Sequence, residues 1–231
     1  MSELRILSTL AVMGAMPAIA KGYEAASGVT LVSEFSPTVA ILDRLRAGAM
    51  ADIAILTAGG IDDMIREGAI QAGTRTDVAL SFVGIAVKAG APKPDIGSVE
   101  AFKATLLAAR SIAYSKIGAS GIYFAGLIER LGIAEAVNAK ATVIATGFTA
   151  ERAARGEVEI AVQQISELKV VPGIEVVGPL PDGIQSVGVF SAGLMATSGQ
   201  PEVARAFLRY LGSAAVVPAL RAAGLEPPAA S

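Results

Sequence analysis

Where apolar runs give way to helix-like segments, this chain repeatedly carries small hydroxyl and amide residues: Ser8-Thr9, Ser36-Pro37-Thr38, Thr57, Ser115 to Ser120, Thr146-Gly147 and Gln163-Gln164. Such a junction exposes the unpaired N–H groups of a helix start, and a hydroxyl or amide beside them adds uncharged donors. Serine and threonine also cap helices in proteins that bind nothing, so each loop alone reads as a cap. Their recurrence in Gly-flanked, hydroxyl-dense clusters predicts a cage for a small anion, placed where ligands sit in open α/β sheets, at the carboxyl ends of the strands. Thr9, Ser36, Thr38, Thr57, Ser115, Ser120, Gln163 and Gln164 are its candidate members.

The residue types that are missing limit the chemistry. The 231 residues include no His, no Cys and no Trp, which excludes histidine-based triads, thiol nucleophiles, disulfides and ordinary zinc or iron–sulfur sites. No cofactor is expected, and carboxylates, lysine, tyrosine, hydroxyls and backbone remain available. Nineteen basic against 21 acidic residues leave a net charge of −2, without the basic field that attracts nucleic acid. Mean hydropathy is high at +0.58, yet charges interrupt every apolar run before the roughly 18 residues a spanning helix needs, so direct membrane insertion is not expected. Asp62-Asp63, after Gly59-Gly60, reads as favouring a helix start through its dipole and not as a metal site. Glu129-Arg130 and Glu151-Arg152 read as solvated helix faces.

Strand-like and helix-like segments alternate, the pattern of an α/β protein with mostly parallel sheets flanked by helices. Strands are predicted at Leu4 to Thr9, Val29 to Phe35, Asp52 to Leu56, Leu80 to Val87, Ser111 to Ser115, Ala141 to Ala145, Glu157 to Gln163, Ile174 to Val177 and Val187 to Met195. Helices are predicted at Ala11 to Ala26, with Pro17 a kink or a late start, and at Val39 to Ala47, Ile61 to Glu67, Val99 to Ala109, Ser120 to Leu131, Thr149 to Arg155, Pro201 to Leu211 and Ala214 to Ala223. Gly59-Gly60 is expected to break the chain ahead of the third helix, and the Pro- and Ala-rich tail from Glu226 to Ser231 is expected to fray. Ile6 to Met16 could serve as the apolar part of a signal peptide, but Glu3 and Arg5 cancel where such a leader is basic. A first strand and helix are therefore expected, with a cytoplasmic location for the chain as written and a periplasmic one if a leader had been removed.

Phe35-Ser-Pro-Thr38, Leu45 through Ala54 and Ile65 through Ile70 resemble the first lobe of the molybdate-binding-protein branch of bacterial solute-binding proteins. Ser120-Gly-Ile-Tyr123, Leu131-Gly132, Glu157 to Gln163 and Ala206 to Leu211 continue the likeness in order. The resemblance implies a two-lobed type 2 periplasmic-binding-protein fold with a ligand in its cleft. Lobe one would be residues 1–79 and 188–231, lobe two 80–187, joined by two crossover strands. It also places family positions: the first-loop serine falls on Ala11, beside Thr9 and Leu10; the second-loop serine falls on Thr38; the backbone donors fall near Ser120, Gly121 and Phe148; and the tyrosine hydroxyl falls on Gln163 or Gln164. Two of three side-chain donors are thus replaced, which turns the expectation away from molybdate and tungstate. If exported, such a protein would have a membrane transporter as partner.

Tyr114 through Tyr123, Gln163 through Leu168, Val171 through Ile174 and Gly178 through Pro181 resemble a narrower set that includes aconitate isomerase. That resemblance implies a small planar carboxylate ligand, with the amide N–H groups of Gln163 and Gln164 suited to its oxygens and Lys116 offering one charged contact. For an enzyme of this kind Lys116 is the candidate base for an allylic proton shift, and Glu34 and Glu167 are weaker choices. A solute receptor, an isomerase and a ligand-sensing scaffold all remain open at this level.

Overall fold

The computed structural model describes residues 3–229. Met1 and Ser2, and the last two residues of the expected fraying tail, lie outside the described residues. The chain forms two compact units: one runs to Ser81 and resumes at Val189, and the other is Phe82–Gly188.

In the first unit, β1 (Glu3–Thr9) pairs in parallel with β2 (Thr30–Ser36) and β3 (Ile53–Thr57), and β3 pairs antiparallel with β9 (Val187–Leu194). Side chains alternate across this sheet, so both faces are apolar. Leu4, Ile6, Ile53 and Ile55 pack under α1 (Met16–Ser27), α9 (Pro201–Leu211) and α10 (Val217–Ala222) with Phe207 and Leu220. Leu7, Ala54 and Leu56 pack on the other face with Ile41 of α2 (Thr38–Arg46) and Ile61 and Met64 of α3 (Ala58–Arg66). Asp52, just ahead of β3, is buried and accepts the Arg5 N–H at 2.9 Å and the Ser198 hydroxyl at 2.6 Å, tying the strand's start to both neighbours.

β4 (Thr76–Lys88) carries the chain into the second unit, and β9 brings it back. There β5 (Ile112–Ser115) pairs in parallel with β6 (Ala141–Ile144) and β7 (Ile160–Gln164). β4 runs antiparallel between β7 and β8 (Ile174–Pro179). One face packs against α4 (Val99–Ala108), α5 (Ala119–Arg130) and α6 (Ala134–Asn138) through Ile112, Tyr114, Ile160, Val162, Phe102 and Phe124. The other packs Ala113 and Ala161 against α7 (Thr149–Ala154) and α8 (Ile165–Leu168) through Ala150, Ala153 and Leu168.

The α/β class and element order are those predicted, with corrections at ends. A 3-10 turn occupies Leu10–Val12, and α1 starts only at Met16, which puts Pro17 in the first turn where its missing N–H costs nothing. Gly28, at φ 71°, ends that helix in the left-handed conformation open to glycine. Gly59-Gly60 does not break the chain: both glycines lie in the first turn of α3, where the Thr57 hydroxyl accepts the Gly60 N–H at 3.3 Å. Asp62 and Asp63 are therefore beyond the first turn and pair with Arg75 and Arg66 instead of serving the helix start. β4 begins at Thr76 and β7 at Ile160, because Glu157 is an exposed partner of Arg152 and Arg155. The helices α6 and α8, of 5 and 4 residues, are too short to show a helical period and are additions to the predicted order, and the segment at Ala214 opens as a 3-10 turn before α10.

Among the described residues no single helix is long and apolar enough to cross a membrane. The bent pair formed by α9 and the segment 214–222 has the composition, but its Phe207, Leu211 and Leu220 lie in the first unit's core.

Candidate functional site

Parallel pairing puts the carboxyl ends of β1, β2 and β3 at one edge of the first unit: Thr9 is opposite Ser36, and Thr57 ends β3. The hydroxyls of Thr9 and Thr38, both buried, lie 3.4 Å apart, with Thr38 donating. α2 starts after Pro37, which has no N–H and no side-chain acceptor, so no side chain caps its first turn. The 3-10 turn at Leu10 and Ala11 likewise has no side-chain cap. Ser36 is half-buried beside them. Thr57 is the exception, since its oxygen already caps α3.

In the second unit β5, β6 and β7 end together at Ser115, Ile144 and Gln164. The Ser115 hydroxyl accepts the Gly118 N–H at 3.0 Å and shapes the turn into α5. That helix opens at Gly118 with no side-chain cap, followed by the buried Ser120 and Gly121. Gly121 is required here: a Cβ would sit 1.8 Å from the Ser115 carbonyl oxygen, so no side chain lets the first turn approach the strand end this closely. Lys116 in the same loop is exposed, with its backbone N–H donated to the Ile144 carbonyl.

The two glutamines divide their tasks. Gln163 Oε1 accepts the Thr149 N–H at 2.8 Å and the Thr149 hydroxyl at 3.0 Å, so it caps α7 from a neighbouring strand and closes the helix start that follows Phe148. Its amino group reaches the Gly147 carbonyl at 3.5 Å and also bonds the Glu167 carboxyl. Gln164, only 3% exposed, has a side-chain oxygen with no hydrogen-bond partner among the described residues.

Glu167 is buried in α8. Desolvation pushes its carboxyl up to about 7, against the Gln163 side chain and the Gln164 N–H, which both favour the ionised form. The bond to the Gln164 N–H is the returning half of a capping box, glutamate at the third helical position reaching back to the residue before the helix. The spacing Gln164-Ile-Ser-Glu167 carried that signal in sequence, and the shortness of the helix hid it. Glu34, the other carboxylate considered, is exposed and paired with Arg44 at 2.7 Å. Among the described residues no group of three acidic side chains is placed to hold a metal ion.

Residues 4–226 match the family model described as bacterial extracellular solute-binding protein. The chain is 38% identical over 232 residues to an aconitate isomerase from Pseudomonas sp., covering 98% of this chain and 88% of that protein. Its fold is similar to the periplasmic molybdate-binding protein of Azotobacter vinelandii, with TM-score 0.82 and 15% identity over 97% of this chain and 99% of that one. It is also similar to the sulfate-binding protein SubI of Mycobacterium tuberculosis H37Rv, with TM-score 0.76 and 14% identity over 99% and 88%. The fold is therefore that of the type 2 periplasmic binding proteins, and the chain belongs to the bacterial extracellular solute-binding protein family.

Proposed function

We propose that this protein binds a small carboxylate through helix-start N–H groups and hydroxyls at its strand ends. The observation that carries the reading is the contrast among helix starts. Thr57 and Ser98 cap α3 and α4 with their own side chains, and α1 and α9, which have no side-chain cap, carry a proline in the first turn; α2 and α5, of 9 and 12 residues, open without either beside Thr38, Ser115 and Ser120. Unused N–H groups at the positive ends of helices suit an anion, and the buried hydroxyls beside them add donors. Carboxylate is favoured over a tetrahedral oxyanion because the resemblance to the molybdate-binding branch puts Ala11 where it implies a serine and Gln163 or Gln164 where it implies a tyrosine hydroxyl, and because the relative at 38% identity is named for a tricarboxylate. A melting-temperature screen against di- and tricarboxylates, molybdate, sulfate and phosphate tests this, since a ligand that binds only the folded chain raises the transition. A rise with the inorganic oxyanions and none with the carboxylates would reverse the choice.

A second reading is that the bound carboxylate is turned over, as in an aconitate-isomerase-like proton shift. That degree of identity over nearly the whole chain favours it, and the buried Glu167, whose carboxyl desolvation pushes up to about 7 beside Gln163 and Gln164, joins Lys116 as a candidate for the proton shift. Incubation with trans-aconitate, followed by NMR for the cis isomer, separates the readings. Turnover supports the isomerase, and saturable binding without turnover supports a receptor, whose partner would then be a membrane transporter. Loss of turnover in Lys116→Ala with turnover retained in Glu167→Gln would assign the proton to the lysine.

A further inference from the structure

Gln164 is the last residue of β7, and its backbone is still extended at φ −59° and ψ 137°. Alternation along the strand therefore decides which way it faces. Ile160 and Val162 join the apolar cluster of Phe124 and Leu127 under α5, whereas Ala161 joins that of Ala150 and Ala153 under α7. Gln163 follows Ala161, as its bonds to Thr149 show. Gln164 follows Val162 onto the α5 face, at the strand end from which α5 starts.

Two unsatisfied groups of opposite kind thus meet at one corner of the second unit. α5 offers N–H donors that no side chain caps, and Gln164 offers a buried side-chain oxygen with no donor among the described residues. Buried polar atoms in native proteins have partners, and a shortfall marks a place where something else completes the bonding. A bare carboxylate satisfies the helix and leaves the glutamine oxygen facing another acceptor.

We infer that the ligand carries an O–H donor next to a carboxylate, the carboxylate taking the N–H groups at the start of α5 and the O–H bonding to Gln164 Oε1. This rests on the carboxylate reading above and narrows it. The O–H comes either from a hydroxyl, as in a hydroxy acid, or from a half-ionised carboxyl group. Gln164 is then a specificity-determining residue. It discriminates against an analogue without the donor by leaving a buried acceptor unpaired, an effect worth about tenfold or more in affinity.

Calorimetric titration of the full chain with two pairs of acids differing by one hydroxyl, malate with succinate and citrate with tricarballylate, reads this directly. At a pH of about 8 all four are fully ionised and only a hydroxyl can donate; at about 5 a half-ionised carboxyl can donate as well. If the hydroxyl is the source, malate and citrate bind at least about tenfold tighter than their partners at the higher pH, and the ratio falls to about one in Gln164→Met. If the carboxyl is the source, that preference is absent, but succinate and tricarballylate gain about tenfold at the lower pH, and Gln164→Met abolishes the gain. Gln164→Ala serves as the second variant should the longer side chain disturb the corner. Equal binding of both partners at both pH values, or a preference that both variants retain, overturns the inference and leaves the carboxylate reading intact. Failure of all four acids to bind the unaltered protein, with every other carboxylate also silent, overturns both.

Discussion

At the residue scale, the Gln163–Glu167 pair shows one network serving two ends. Gln163 closes α7 and at the same time holds the only ionisable side chain in this corner that burial brings to about neutrality. Because the Glu167 pKa rises from 4.5 in the unfolded chain to about 7 in the folded one, the folded state holds the extra proton. Its contribution is complete below the unfolded value and is lost as pH rises through the folded value. Between about pH 5 and pH 7 the protein should lose about 2 kcal/mol from this group alone. Glu167→Gln keeps the acceptor for the Gln163 amino group and the Gln164 N–H while removing the charge. Chemical denaturation across this range should show that variant with a flatter profile and greater stability than the parent on the alkaline side; an unchanged slope would place the proton elsewhere. Gln163→Leu leaves the buried Thr149 N–H unpaired and should cost about 2 kcal/mol or more. Its combination with Glu167→Gln should be non-additive, since the two share a hydrogen bond. The sequence marked both glutamines as chemically interesting, but it could not divide them: which one caps a helix and which keeps a free oxygen depends on strand parity and on the partner across the sheet.

Elements place these groups more firmly than their own chemistry does. The start of α5 works because Gly121 lets the helix press onto the end of β5, and Ser115 fixes the turn between them. Gly121→Ala forces a Cβ into the Ser115 carbonyl, backbone against backbone, where no rotamer relieves the clash. It should destabilise the protein by about 3 kcal/mol or displace the first turn, and either way weaken ligand binding far more than Gly59→Ala, where a Cβ meets nothing. Melting temperatures of the two variants, each with and without ligand, make the comparison; equal effects would deny the close approach its role. Most elements were legible because their apolar periodicity extends over two turns or over several strand residues, as in α9 with Phe207, Leu208 and Leu211 on one face. α8 escaped because four residues cannot show a helical period, and Gly59-Gly60 misled because glycine is tolerated in a first turn that a threonine caps.

At the scale of the whole molecule, carboxyl edges of parallel strands recur in both units, each with an uncapped helix of two turns or more: α2 in the first and α5 in the second. The alternation of strands and helices made the α/β class legible, and the phrases around Thr38, Ser120 and Gln163 carried the family. What the sequence could not convey was which helix starts are already satisfied, since the cap of α7 comes from a residue fourteen positions away on another strand. Solution NMR reads that distinction one amide at a time. In a citrate titration of 15N-labelled protein, the expected result is saturable shifts largest at the N–H groups of Ala119 and Ser120 in α5 and of Thr38 and Val39 in α2, with the N–H groups of Gly121, already bonded to the Gly118 carbonyl, and Thr149, already bonded to Gln163, moving little. Saturable shifts centred away from these helix starts, or no shift at any of them at millimolar citrate and the other carboxylates, would contradict the account.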